Sequence, residues 1–127
     1  PQNHAAAAGL HLPAGLKTGA HRLTAHAIAQ GKADLGAVDA VTWRHLQRVD
    51  PTVQGLHVIA QTRPTPGLPL ITAQAALAPL LSSTISQAIA HLPAATRTIL
   101  GLRGLVLIAP SAYLAVPNPP PPDHFIP

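Results

Sequence analysis

The chain has 127 residues, 47% of them apolar, with eight Lys plus Arg against four acidic residues for a formal charge of +4; this is enough for one domain and too apolar for wholesale disorder. The basic residues are scattered and Trp43, Tyr113 and Phe125 are the only aromatics, which argues against the concentrated positive face and stacking platforms of a nucleic-acid binder. The absence of cysteine excludes disulfides, thiolate metal sites and a cysteine nucleophile, and leaves the compartment open.

Residues 1–9 contain a run of four alanines but neither a basic start nor a long apolar stretch, so they do not read as a signal peptide. Methionine is absent, and the chain reads as a processed or incomplete one. Thr18 is a candidate N-cap, and Leu23, Ala27 and Ile28 follow at helical spacing until Gly31, so residues 19–30 are predicted helical. Leu35 to Asp39 is short and apolar, as expected of a buried strand, and Trp43, Leu46 and Val49 then mark a helix over residues 40–49. Asp50-Pro51 ends that helix, because the residue before proline is pushed out of the α region.

Residues 56–61 alternate in the manner of a strand, completing a short α/β unit. The prolines of Arg63-Pro64-Thr65-Pro66-Gly67-Leu68-Pro69 predict a stiff, extended crossing segment. Leu70 to Ala73 is a candidate strand, and Leu77, Leu80, Leu81, Ile85, Ile89 and Leu92 form one helical stripe over residues 77–92. No Lys, Arg, Asp or Glu occurs from Pro64 to Thr96, yet prolines and polar residues leave no membrane-spanning window there. A helical turn over 94–100, a strand over 105–108, a turn over 110–116 and a proline-rich tail over 117–127, polyproline II or disordered, complete the prediction.

The chemistry concentrates at Thr18-Gly19-Ala20-His21. A helix amino terminus presents unpaired backbone N–H groups and about half a positive charge, so it receives an oxyanion without a basic side chain. The competing reading of these residues is an ordinary capped helix with an exposed histidine. Asp39 lies where a strand gives way to a helix, the place where ligands gather in open α/β sheets; it either accepts a hydrogen bond from a ligand amine or hydroxyl or simply caps the next helix. The eight histidines show no metal-ligand spacing, and no paired carboxylates, nucleophile elbow or phosphate-binding loop is present. Nothing in the sequence calls for an enzyme, a metal or a cofactor.

Thr18-Gly19-Ala20-His21-Arg22, the run from Gly31 to Trp43, Pro64 to Pro69, and Gly101-Leu102-Arg103-Gly104 with Tyr113 occur together in an order that resembles the substrate-binding proteins of phosphate, phosphite and phosphonate ABC transporters, the phosphonate-binding group of type II periplasmic binding proteins. The resemblance implies a two-lobed α/β clamp, located in the periplasm or otherwise outside the cytoplasm, that closes on a small oxyanion and hands it to a membrane permease. Thr18, Gly19, Ala20 and His21 match the family's oxyanion contacts, and Asp39 an acidic position facing the cleft. Such proteins are substantially longer, so the resemblance implies a C-terminal portion. Its parts are an abbreviated leading segment over 1–16, part of the ligand lobe over 17–63, an interlobe crossing over 64–69, a portion over 70–116 that packs on the other lobe, and the tail. In that case the chain alone binds phosphonates weakly or not at all. A ligand-sensing domain of a regulator or enzyme, or a degenerate fragment that no longer binds, are the alternatives on the same fold.

Overall fold

The computed structural model describes residues 2–116 and 121–126. They fall into two units, one drawn from residues 1–63 and 117–127 and the other Pro64–Val116. In the first unit the alanine run forms α1 (Gln2–Ala7), as the strongest helix former should, although the sequence reading assigned it no structure. It is followed by β1 (Ala14–Leu16), α2 (His21–Ala29), α3 (Ala40–Val49), a single 3-10 turn over Pro51–Val53, and β2 (His124–Ile126). β1 and β2 pair in parallel, Ala14 opposite His124, Gly15 opposite Phe125 and Leu16 opposite Ile126. Helices with a small parallel sheet are the ingredients of an α/β fold.

α2 stops where the sequence places its stop. Gly31 takes the left-handed conformation (φ 70°), the Lys32 N–H donates to the Ala27 carbonyl at 2.8 Å and the Gly31 N–H to that of Ile28 at 3.0 Å, so the last carbonyls are satisfied by a left-handed cap that glycine adopts without a Cβ penalty. Its start differs from expectation: the cap residue is Ala20, which has no side chain to offer, and Thr18 instead places its hydroxyl 2.6 Å from that of Thr24. α3 begins at Asp39, whose carboxylate accepts the Thr42 N–H at 2.8 Å.

The small core of this unit consists of Ala25, Leu46 and Val53, with Val38, Trp43 and Leu56 packed against it. One carboxylate ties its pieces together. Asp50, only 4% exposed, accepts on Oδ2 from Arg22 Nε (2.9 Å) and His26 Nε2 (2.8 Å) of α2, and on Oδ1 from the Thr52 N–H (3.1 Å). The His26 hydrogen bond leads in holding this carboxyl down at about 2, against the opposing effect of burial, and Thr52 and Arg22 assist.

None of the strands expected at 35–39, 56–61, 70–73 and 105–108 forms. Apolar alternation specifies which side of a segment is buried, whereas a strand also needs a hydrogen-bonding neighbour, and among the described residues these segments have no ladder partner. Val38 and Leu56 still turn inward onto the core. The tail is corrected as well: residues 124–126 are a strand on β1 rather than polyproline II or disorder, while the expectation for 117–120 and 127 lies outside the described residues.

In Pro64–Val116, a 3-10 turn over Ala75–Leu77 leads into α4 (Ala78–His91), followed by α5 (Ala94–Leu100) and α6 (Pro110–Leu114). The predicted helices are present, but no residue of this unit is buried. Ile85, Ile89 and Leu92 are half-buried, whereas Leu68, Ile71 and Leu107 are 100%, 90% and 89% exposed. No single helix among the described residues is long and apolar enough to cross a membrane; Ala75–His91 and Ala94–Leu100 meet that criterion only as a pair bent by 111°.

Candidate functional site

The amino-terminal turn of α2 opens on a shallow depression of about 370 Å³ lined by Thr18, Gly19, Ala20, His21, Thr24 and Ala37. Four of the five residues singled out from sequence thus share one concavity. Its backbone geometry follows from two small residues. Gly19 adopts φ 78°, a conformation that residues with a Cβ enter only at a cost. Ala20 follows in extended geometry (φ −156°, ψ 152°) and makes no side-chain cap bond. The first intrahelical bond runs from the Thr24 N–H to the Ala20 carbonyl at 2.9 Å, so by helix geometry the amides of His21, Arg22 and Leu23 precede the ladder and lack helical acceptors.

The Thr18 hydroxyl is committed to its own neighbours: it donates to Thr24 Oγ1 at 2.6 Å and lies 3.4 Å from the Ala20 carbonyl. It braces the turn rather than capping it. Thr24 in turn donates to the Ala20 carbonyl at 3.2 Å, holding both sides of the turn.

Asp39 is not part of the lining, but it stands next to it. Its backbone N–H donates to His21 Nδ1 at 3.4 Å, and a neutral ring accepting at Nδ1 carries its proton on Nε2. The carboxylate of Asp39 is used first as a helix cap. The Thr42 N–H is the largest influence holding its carboxyl below the usual carboxylate range; slight burial opposes this, and the Thr42 hydroxyl and the Val41 N–H add to the lowering.

The sequence reading missed the Arg22–His26–Asp50 cluster. Arg22 and His26 are one helical turn apart and so share a face of α2, which was visible; that their partner would be the Asp before Pro51 depends on how α2 lies on α3, which was not. No group of three or more His, Cys, Asp or Glu able to hold a metal occurs among the described residues.

No curated protein and no solved structure matches the chain. A family model does: residues 4–113 match the one described as ABC transporter, phosphonate, periplasmic substrate-binding protein, and the chain therefore belongs to that family, as a substrate-binding component and not an enzyme.

Proposed function

We propose that this chain binds a phosphonate- or phosphate-type oxyanion at the amino terminus of α2, outside the cytoplasm, and passes it to an ABC permease. One observation carries the reading: the opening turn of α2 has an alanine cap with no side-chain acceptor and faces a concavity, so its amides are left for an external acceptor. The partial positive charge of the helix end favours a negative ligand there. His21, in its Nε2–H form, supplies a side-chain donor on the same turn. Asp39 beside it is an acceptor for a ligand hydroxyl or amine and suits the protonated oxygen or substituted carbon of a phosphonate.

Residues 64–69 are read as the crossing between lobes, and 70–116 as the portion that packs on the opposite lobe of the clamp. The absence of any buried residue in Pro64–Val116 supports that reading, since an apolar helix stripe gains about 1.5–3 kcal/mol per large side chain only when something covers it.

The test is an amide NMR titration of the whole chain with methylphosphonate, phosphate, phosphite and sulfate at millimolar concentrations. Methylphosphonate is expected to move the amides of His21, Arg22 and Leu23 more than those of α3, and His21→Ala to weaken the response. Titrations in which none of the four anions moves these amides rule the reading out.

A further inference from the structure

A second depression, of about 400 Å³, lies on another side of α2. Lys17, Lys32, Gln30 and Thr18 supply its polar wall, and Leu16 and Leu23 part of its apolar wall. No acidic side chain lines it. His26 also borders it, but its Nε2 is held by Asp50 at 2.8 Å, and the Asp50 charge is already met by Arg22 at 2.9 Å. The two lysines therefore leave this concavity positive.

Thr18 borders both depressions. On α2 and its two cap residues, Ala20, His21 and Thr24 front the first, and Leu23, His26, Ala27 and Gln30 the second. The axial step from Ala20 to Leu23, the first α2 residue of the second depression, is about 4.5 Å at 1.5 Å per residue, so a chain of two or three carbons leads from the helix start into the second depression. Lys17 does not hang free: its ammonium sits 4.3 Å from the centroid of the Phe125 ring. That ring is delivered by the pairing of β2 with β1, where Phe125 stands opposite Gly15. A lysine held against an aromatic face gives up less side-chain freedom when it takes an anion.

We propose, resting on the reading of the α2 terminus given above, that the second depression is a subsite for a second negative group on the same ligand. The preferred substrate class is then a phosphonate carrying a carboxylate, or a comparable anion, on a short carbon chain. The phosphonyl oxygens take the α2 amides, the carbon chain passes Thr18 along Leu23, and the distal anion meets Lys17, the residue next to Thr18, with Lys32 adding positive charge from beyond the carboxyl end of α2. Phe125 is a positioning residue for Lys17.

The experiment is an amide NMR titration of the full chain with methylphosphonate, propylphosphonate and 3-phosphonopropionate, repeated on the Lys17→Gln/Lys32→Gln double variant and on Phe125→Ala. 3-Phosphonopropionate is expected to bind about tenfold more tightly than propylphosphonate, with added shifts at Lys17 and Lys32. The double variant should erase that advantage and leave methylphosphonate binding as it was, and Phe125→Ala should reduce it about threefold. Retained dispersion of the α2 and α3 amides checks that each variant is folded. If methylphosphonate binds but the carboxylate adds nothing, or its advantage survives the double variant, the subsite is wrong and the anion reading stands. If methylphosphonate itself moves no α2 amide, both fall together.

Discussion

Residues 21–53 and Pro64–Val116 are both rich in helix, yet they hold their helices in place by different means. α2 and α3 share a core of Ala25, Leu46 and Val53, and a carboxylate only 4% exposed joins them through Arg22, His26 and Thr52. α4 is longer than either and more uniformly apolar, and neither it nor its neighbours buries a single residue. Hydrophobic composition alone therefore does not make a core. What separates the regions is whether two apolar faces oppose one another within the same unit, since burial and not apolarity lowers the free energy.

Matched truncations probe this contrast most severely. Leu46 is 6% exposed, and Leu46→Ala is expected to cost about 3 kcal/mol through lost burial and the cavity left behind. Leu107 is 89% exposed, and Leu107→Ala should stay within about 0.5 kcal/mol. Urea unfolding followed by Trp43 fluorescence measures the first, and circular dichroism the second. Comparable losses in the two variants would mean that the second unit is packed as tightly as the first. The next effect in size is that of Gly36→Ala. A Cβ there meets Thr24 Cγ2 at 2.5 Å and Ile28 Cδ1 at 3.1 Å, so the segment must back away from α2 at about 2 kcal/mol. Because Thr24 also braces the α2 turn against Thr18, the variant should weaken methylphosphonate binding along with stability.

The same contrast marks how far the sequence could be read. Helices declared themselves locally: Gly31 as a left-handed stop, Asp39 as a cap and Asp50-Pro51 as an end all operate within a few residues of where they stand. The stripe from Leu77 to Leu92 was legible for the same reason. Strands were not, because the alternation at Leu56 and Val58 names an inward side without naming a neighbour, and the pairing that does occur joins residues 14–16 to 124–126 across almost the whole chain. At the candidate site, Thr18 to His21 were legible as a helix start. The replacement of Thr18 by Ala20 as cap was not, since it turns on the Thr18–Thr24 hydroxyl contact. Val38 and Leu56 reached the core as their apolarity suggested, without becoming strands.

Acid sharpens the comparison further, because only the first unit carries a buried carboxylate. The Asp50 carboxyl is lowered from its ordinary 3.8 to about 2, so its contribution is complete above pH 3.8. Below that the unfolded chain takes up the proton first, and the contribution is lost as the pH falls toward 2. Melting of the α2–α3 region should drop between about pH 4 and pH 2, and Asp50→Asn should flatten most of that slope. A residue of slope is expected to persist, since the lowered carboxyl of Asp39 acts in the same direction. An acid slope equal in wild type and Asp50→Asn would place the dependence elsewhere.

The smallest effect distinguishes the two roles of Asp39. Its carboxylate caps α3 through the Thr42 N–H, and Asp39→Ala should cost about 1 kcal/mol, confined to the first unit. Serine caps helices about as well as aspartate, so Asp39→Ser should restore the melting temperature while removing the negative charge beside His21. Hydroxymethylphosphonate offers a donor that methylphosphonate lacks. If the carboxylate receives it, the hydroxyl compound binds the wild type more tightly by about tenfold, the worth of one hydrogen bond to a charged acceptor, and Asp39→Ser loses that preference although its helix is fully capped. A preference that survives in the serine variant, with stability restored, reduces Asp39 to a capping residue and leaves the phosphonyl group to the α2 amides and His21.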